Sequence, residues 1–571
     1  MNPQSLWRAL GVPAGLAAGL IAVSLVGAAE PTRDFSVVFP DEARVVPDGR
    51  SSVLRGLALD GSDLERVTAD LAGAPVPLVW SEQRFDALLP PLPPGAYPLR
   101  MGIVHQGGVR REFTVPVIVG PFATRGEWID SAISVQLALT ALDSHGAQPG
   151  DLASALSRKI VAMAPGSQLG PIVRCPITIR TPSAGSSFVL GGDAVFERGA
   201  VAFTIPLTFR RPTRQTLAIG RAGPISAVPD ERALQIGRDQ GGTMGGGVGA
   251  AVGFWAFGPV GALLGAALGQ MGGQAYGEGE ARSQARTQLE HLVDGFLPRV
   301  SEAMALPEQL SLDPQLPNTT LHLRFHAPPR FVDGAGLVVR IDAQLESFAQ
   351  GRVPGPLALE ASEQLLDAQE SGVVASPAFV AALVDVYGTG GGAERDFARL
   401  SHDGNAPRRV GPLELRGTHL TLAPMVLPRA LPGTLAWAVP DLALTTNLPL
   451  DVRVFAAGTI SARLAEDGRR VLMQPAVGLL QVSCRSHQGA GWTFLPCLSD
   501  ATNAFPDAPA LVSKEIKEVP MFAEVLGPLV DSPLGAGTDL SVRLQPSRLE
   551  LGDRAGAPRA ALAATVTFEA R

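Results

Sequence analysis

The histidines of this chain are the side chains best suited to metal or general-base chemistry, but their spacing does not form a site. The sequence has eight histidines, and only His322 and His326 fall on one face of a predicted strand. Four strand residues span roughly 13 Å, which is too far for two ligands of one ion. The sequence also lacks a G-x-S-x-G elbow, an H-E-x-x-H helix and a P-loop lysine. We therefore predict no catalytic residue, no metal and no cofactor, with a hydrolase that lacks a recognisable motif as the alternative.

Two other patterns have simpler explanations than chemistry. Residues 388–393 fit a loose G-x-G-x-x-A pattern, but the apolar run before them begins like a helix instead of a strand. We interpret them as a glycine loop. The acidic pair Asp333 and Asp342 fits a turn and a solvated strand face.

The three cysteines are compatible with one disulfide. Cys484 and Cys497 flank a glycine-rich loop, so we predict that they pair in an oxidising compartment. Cys175 is then a buried free thiol. The alternative is three unpaired cysteines in the core.

A glycine at every fourth residue dominates the middle of the chain. Nine of the ten positions in this register are glycine, against five of the other 27 residues, and the run carries no charge. The register consists of Gly241, Gly245, Gly249, Gly253, Phe257, Gly261, Gly265, Gly269, Gly273 and Gly277. A four-residue period places these small residues on one side of a helix, where another backbone can approach closely.

The run predicts two helices joined by a turn. Residues 257–259 read Phe-Gly-Pro, a turn signal that separates arms at about 241–256 and 259–277. Each arm is roughly 24–29 Å long, close to the ~30 Å hydrocarbon core of a bilayer. Trp255 and Phe257 lie at the tip, where aromatic side chains would meet a membrane interface.

This segment resembles the glycine-zipper two-helix hairpins of bacterial envelope proteins. The resemblance implies insertion into a membrane or an oligomer. The alternatives are a buried glycine-rich helix pair inside a soluble fold and a disordered segment.

Composition and the N-terminus indicate an exported protein. The chain is 46% hydrophobic, its net charge is −7, and it has no basic stripe, so we predict no nucleic-acid partner. Arg8 precedes an uncharged apolar stretch that ends in small residues near Ala29. We interpret residues 1–29 as a signal peptide or an uncleaved signal anchor, which places the rest on the periplasmic side of a bacterial membrane.

Residues 34–121 predict a small β-sandwich. Proline and glycine mark turns at regular intervals between alternating strands. Residues 92–99, Leu-Pro-Pro-Gly-Ala-Tyr-Pro-Leu, resemble the corner of immunoglobulin-like envelope modules, which implies a seven-stranded sandwich.

Two α+β units follow, at 130–350 and 357–571, with the hairpin inserted in the first. Apolar stripes predict long amphipathic helices near 281–300 and 508–529, and a shorter one from Leu152 to Met163. Ser376 and Pro377 are a helix start. Residues 321–331 match 540–549 with one gap, each before a turn and a final strand, which predicts an internal repeat.

Long helices laid against long, curved antiparallel strands resemble the tubular lipid-binding superfamily, which includes the bactericidal permeability-increasing proteins. The resemblance implies an apolar tunnel that holds acyl chains. Its candidate lining residues are Leu289, Phe296, Val300, Phe522 and Leu526. The alternative for each of them is an ordinary dry core.

Together these patterns predict a non-enzymatic cell-envelope protein that binds or transfers lipid and associates with a membrane through the glycine hairpin. Its expected partner is membrane lipid. The alternative function is an oligomeric scaffold or pore, in which the hairpins of several identical subunits pack together.

Overall fold

The structure of this chain is a computed structural model. It describes residues 37–39, 45–46, 52–58, 64–81, 84–105, 110–147, 150–163, 171–181, 184–232, 305–313, 316–333, 335–347, 354–360, 365–367, 369–398, 402–403, 406–407, 409–410, 413–428, 432–447, 450–464, 471–486, 492–495, 514–516, 540–552 and 558–570.

Most of the described residues belong to strands. Those of the first 120 residues are β1 (Val37–Phe39), β2 (Val45–Val46), β3 (Ser52–Ala58), β4 (Leu64–Leu71), β5 (Ala74–Pro75), β6 (Leu78–Ser81), β7 (Arg84–Leu89), β8 (Gly95–His105) and β9 (Arg110–Val119). The next are β10 (Ile129–Leu137), β11 (Ile172–Arg174), β12 (Ile177–Arg180), β13 (Ser187–Phe196), β14 (Gly199–Arg210), β15 (Ala218–Arg221), β16 (Ser226–Pro229), β17 (Gln309–Ser311), β18 (Thr319–Phe325), β19 (Arg330–Val332) and β20 (Gly336–Ser347). The last are β21 (Ser371–Ala375), β22 (His402–Asp403), β23 (Ala406–Pro407), β24 (Arg409–Val410), β25 (Leu413–Leu420), β26 (Met425–Val426), β27 (Thr434–Thr446), β28 (Leu450–Leu464), β29 (Val471–Ser486), β30 (Trp492–Leu495), β31 (Lys514–Ile516), β32 (Leu540–Leu551) and β33 (Ala560–Ala570).

The helices are few and short. In the described part of the chain they are α1 (Leu139–Leu142), α2 (Leu152–Met163), α3 (Pro377–Thr389) and α4 (Gly392–Ala398). The predicted helix start at Ser376 is confirmed, because the Ser376 hydroxyl accepts a hydrogen bond from the Phe379 amide at 3.3 Å and Pro377 is the first helical residue.

The predicted α+β class with long amphipathic helices is wrong. Strands account for about 60% of the structure and helices for 11%, and the longest described helix, α3, has 13 residues. Part of the helix predicted over 508–529 is strand β31, in which Glu515 pairs with Leu472 of β29. An apolar stripe also suits a strand, and here a neighbouring strand is present to hydrogen-bond the backbone. The helix predicted over 281–300 lies outside the described residues.

Four larger sheets organise the described residues. The first runs β24-β25-β27-β28-β29-β30-β1-β3-β7-β6, and the second runs β17-β18-β20-β10-β21-β33-β32. The third runs β11-β13-β14-β15, and the fourth runs β2-β9-β8-β4-β5. The short strands β26 and β31 belong to the first sheet. Strand β19 belongs to the second sheet, and β12 and β16 belong to the third.

The second sheet has an approximate internal symmetry. Strands β10 and β21 pair antiparallel at its centre, with Val135 opposite Val373. On one side β20 and then β18 follow, and on the other β33 and then β32. The two matched segments of the predicted repeat thus form β18 and β32, in equivalent positions. The two predicted units, 130–350 and 357–571, share this sheet.

Helix α3 lies in the main core between the first and second sheets. Its buried side chains include Phe379, Leu383 and Tyr387, which belong to one hydrophobic cluster with Leu323 of β18 and Leu444 of β27. Most buried residues of α3 are apolar, with Asp385 as the charged exception, so α3 differs from an amphipathic surface helix.

The described residues among the first 120 form two facing sheets with their own core. Strands β3, β7 and β6 face β9, β8 and β4, and Leu54, Ala87 and Leu99 are fully buried between them. The Tyr97 hydroxyl donates a hydrogen bond to the Pro93 carbonyl at 2.7 Å, inside the predicted corner. Nine strands lie within the described residues of this region, whereas the sequence predicts a seven-stranded sandwich. Strand β1 also pairs with β30 and joins this region to the first sheet.

Candidate functional site at the end of strand β18

A bulge in β10 begins the candidate site. The pairing of β10 with β20 shifts register between Ile129 and Ile133, and Ser131 inside the bulge has φ +50°. A left-handed conformation is unusual for a serine and marks a backbone held by its surroundings. Here the Ser131 amide donates a hydrogen bond to Asp342 Oδ1 of β20 at 2.9 Å.

Asp342 is the centre of the site and is buried, contrary to its predicted position on a solvated strand face. Its residue exposure is 3%. Arg324, directly opposite in β18, donates from Nε to Asp342 Oδ2 at 2.9 Å. Nδ1 of His326 lies 2.7 Å from Asp342 Oδ1. A buried carboxylate is stable only with such partners.

The bulge also brings a second carboxylate to this position. Asp130 Oδ1 lies 3.8 Å from the Arg324 guanidinium, whose carbon is 4.0 Å from the centroid of the Trp128 ring. One oxygen or nitrogen atom from each of Asp130, His326 and Asp342 lies within 4.8 Å of the others. We call these three residues, with Arg324 and Ser131, the Asp342 cluster.

The second histidine of the predicted pair belongs elsewhere. His322 Nε2 lies 3.0 Å from Glu346 Oε2, so His322 and His326 face different carboxylates along β18. The sequence did not reveal the Asp342 cluster, because Asp130 and His326 are far apart in the chain and no short motif joins them.

An arginine-rich loop packs against the same end of β18. Arg210 ends β14, Arg211 and Arg214 follow it before β15, and all three residues are exposed. The Arg211 guanidinium donates hydrogen bonds to the carbonyls of Phe325 and His326. The Thr213 hydroxyl accepts hydrogen bonds from the amides of residues 215 and 216, which fixes the turn.

The described chain leaves the third sheet after β16, and where it resumes at Ala305 it leads into β17 of the second sheet. Pro229 pairs with Val201, near the start of β14. Ala305 bridges to Thr216, beside the arginine loop at the other end of β14. The two points are roughly 30 Å apart at about 3.3 Å per strand residue.

Most predicted site residues lie outside the described residues. These are the glycine register from Gly241 to Gly277 with Trp255 and Phe257, the tunnel candidates Leu289, Phe296, Val300, Phe522 and Leu526, and Cys497. Cys484 lies in β29 opposite Leu495. Their predicted roles stay predictions. Among the helices that the structure describes, none is both long enough and apolar enough to cross a bilayer.

The prediction for Cys175 is confirmed, since this residue is a free, fully buried cysteine. Burial, with a contribution from the Asp193 charge, raises the pKa of its thiol to about 12. Cys175 packs in the core of the third sheet with Ile177 and Phe203. It is therefore a core residue without the thiolate that nucleophilic chemistry needs.

Comparison with known proteins gives no family. No protein-family model matches the chain, and no curated protein matches it. Among solved structures, P47 of Clostridium botulinum E1 is 8% identical, with 79% of this chain and 100% of P47 covered and a TM-score of 0.27. The fibronectin(III)-like modules of Clostridium thermocellum CbhA are 11% identical, with 34% and 87% covered and a TM-score of 0.14. Domains 5–6 of the S-layer protein SbsC are 12% identical, with 34% and 90% covered and a TM-score of 0.12. Likenesses this weak decide neither fold nor function.

Proposed function

We propose that this chain is a non-enzymatic cell-envelope protein that associates with membrane lipid through the glycine segment 241–277. The observation that carries the proposal is the glycine register, with nine glycines in ten positions and no charge over 37 residues. Such a run loses roughly 5–9 kcal/mol of helix propensity relative to alanine. A bilayer offsets this loss, because it makes internal backbone hydrogen bonding obligatory.

The body of the protein supports this proposal in two ways. Residues 241–277 lie between β16 and β17, so their removal leaves the strands β14, β15 and β16 with their partners. The described chain resumes at Ala305, which bridges to Thr216 close to the exposed residues Arg210 and Arg214, whose positive charges suit the anionic headgroups of a bilayer.

Liposome flotation of the purified full chain tests the proposal. We expect the full chain to float with vesicles and a variant lacking residues 241–277 to stay at the bottom of the gradient. Unchanged flotation of the deletion variant would refute membrane association through this segment. Circular dichroism of both proteins checks that the β-rich body is retained.

Substitutions within residues 241–277 test whether the glycine face must pack closely against another surface or whether the segment only needs to be apolar. Gly249→Ile and Gly265→Ile place bulk in the register, whereas Ala250→Ile and Ala266→Ile place the same bulk one residue away. We expect only the first pair to weaken flotation. If instead the in-register pair abolishes crosslinking between subunits and leaves flotation intact, the glycine face serves oligomerisation, the alternative function.

A further inference from the structure

We propose that Asp130, His326 and Asp342 form a binding site for a divalent transition-metal ion of the Zn²⁺ type. The proposal is independent of membrane association, since all three residues lie in β10, in β20 or at the end of β18. It rests on the convergence of one imidazole nitrogen and two carboxylate oxygens within 4.8 Å of one another.

The spacing of these atoms is close to that of a coordination sphere. Ligand bonds to Zn²⁺ are about 2.0–2.2 Å, so neighbouring ligand atoms of a tetrahedral ion are roughly 3.3–3.6 Å apart. Nδ1 of His326 and Oδ1 of Asp342 are 2.7 Å apart. A modest opening of this contact admits the ion, which then takes the place of the direct contact between the two groups. The Asp130 side chain is 68% exposed and can move to complete the set, which leaves the fourth position for water.

The neighbours of Asp342 act as an outer shell that orients it. Arg324 holds Oδ2 at 2.9 Å and the Ser131 amide holds Oδ1 at 2.9 Å, so the carboxylate plane is fixed with Oδ1 towards His326. Outer-shell hydrogen bonds of this kind raise metal affinity by fixing the ligands. The two carboxylates of the cluster outnumber the single guanidinium group of Arg324, which favours a cation.

The backbone of β10 shows how Asp130 reaches this position. The bulge and the left-handed Ser131 cost free energy, and bulges are common where a strand redirects a functional side chain. Here the bulge places Asp130 beside β18. Without the bulge, the side chains of residues 130 and 131 would continue the regular alternation of β10 between the two faces of the sheet.

Zinc titration of the full chain tests the site. After treatment with a chelator, the protein is titrated with Zn²⁺ in a calorimeter, and bound zinc is quantified by mass spectrometry after desalting. Titration with Co²⁺ gives a visible absorption spectrum that reports direct coordination. We expect one ion per chain in the unmodified protein.

The variants His326→Gln and Asp130→Asn remove ligands that are partly exposed, so folding is preserved, as circular dichroism will check. Each should weaken Zn²⁺ binding about tenfold or more and abolish the Co²⁺ spectrum. The matched control is His322→Gln, which removes the histidine of a similar pair, His322 and Glu346. Among the described residues this pair belongs to no three-residue cluster of possible ligands. It should bind as the unmodified chain does. Absence of a bound ion in the unmodified chain, full retention in both ligand variants, or an equal loss in His322→Gln would each overturn the proposal.

Discussion

Arg125 and Asp385 are 260 positions apart and form a two-point ion pair. Arg125 Nε donates to Asp385 Oδ2 at 2.7 Å and Nη2 donates to Oδ1 at 3.0 Å. Arg125 also donates to the Pro354 carbonyl. The pair ties the segment before β10 to helix α3. Burial raises the pKa of Asp385, while the hydrogen bond and charge of Arg125 oppose that rise.

We expect Arg125→Met to destabilise the protein by about 3–5 kcal/mol, because it leaves a buried carboxylate without its cation. The midpoint of urea unfolding measures the change. The control is Arg55→Met, which removes an arginine that is 82% exposed and 4.0 Å from Asp86 and should change little. Equal effects of the two substitutions would contradict a special role of the buried pair.

The loss of stability caused by Arg125→Met should be smaller in acid than at neutral pH. Without Arg125, the pKa of Asp385 lies further above its unfolded value of about 3.9. Such a group contributes stability below the unfolded pKa and loses it as pH rises through the folded pKa. The difference in unfolding midpoint between variant and unmodified chain should therefore be smaller at about pH 4 than at about pH 7.5. A constant difference would show that lost packing, and not the charge, causes the deficit.

Asp151 should have the opposite dependence on pH. Burial raises the pKa of Asp151, but hydrogen bonds from Ser144 and Ser154 outweigh it, so its pKa lies below 3.8. Its stabilisation is present above the unfolded pKa and is lost as pH falls through the folded pKa. Asp151 also caps α2, since Oδ1 accepts the Ser154 amide at 2.6 Å.

Substitutions at Asp151 separate the charge from the cap. Asp151→Asn should keep the helix cap. Between about pH 5 and pH 3 this variant should lose less thermal stability than the unmodified chain. Asp151→Ala should lose about 1 kcal/mol at neutral pH as well. Thermal melts across this pH range measure both effects. An unchanged slope in Asp151→Asn would show that other carboxylates cause the loss in acid.

Two glycines with the same backbone conformation should respond differently to alanine. Gly336 has φ +88° and Gly391 has φ +82°. A Cβ at Gly336 would lie 2.1 Å from the Leu137 carbonyl oxygen, whereas one at Gly391 would meet nothing within 4 Å. Both alanine variants carry the left-handed strain of about 1–2 kcal/mol, and only Gly336→Ala adds a clash with backbone. Its thermal midpoint should fall clearly further than that of Gly391→Ala. Equal midpoints would show that β20 can move away from β10 at no cost.

The Cys175 thiol should resist alkylation in the folded protein. With a pKa of about 12 and full burial, it carries almost no thiolate at about pH 8. Peptide mass spectrometry after iodoacetamide treatment should find Cys175 labelled only when the chain is unfolded. In non-reducing denaturant the same measurement tests the predicted disulfide, because Cys484 and Cys497 then stay unlabelled. Rapid labelling of Cys175 in the native protein would contradict its position in the core.

Local chemistry allowed several elements to be predicted. The apolar spacing of Leu152 and Leu156 predicted a helix where the structure has α2, and the Ser376–Pro377 pair predicted the start of α3. The failure over 508–529 has a physical cause, since the pairing of β31 with β29 depends on a strand well before it in the chain, which the local pattern does not contain.

Local periodicity can be read from the sequence alone: which stretches alternate as strands, where α3 begins, and the glycine register that motivates the proposed function. Tertiary structure alone creates the Asp342 cluster, because the pairing of β10 and β18 with β20 brings Asp130 and His326 to one carboxylate. It likewise decided that Asp342 is buried, since exposure depends on which strands and side chains cover a residue. Periodicity is a property of neighbours along the chain, whereas a site made of distant residues exists only once strand register is fixed.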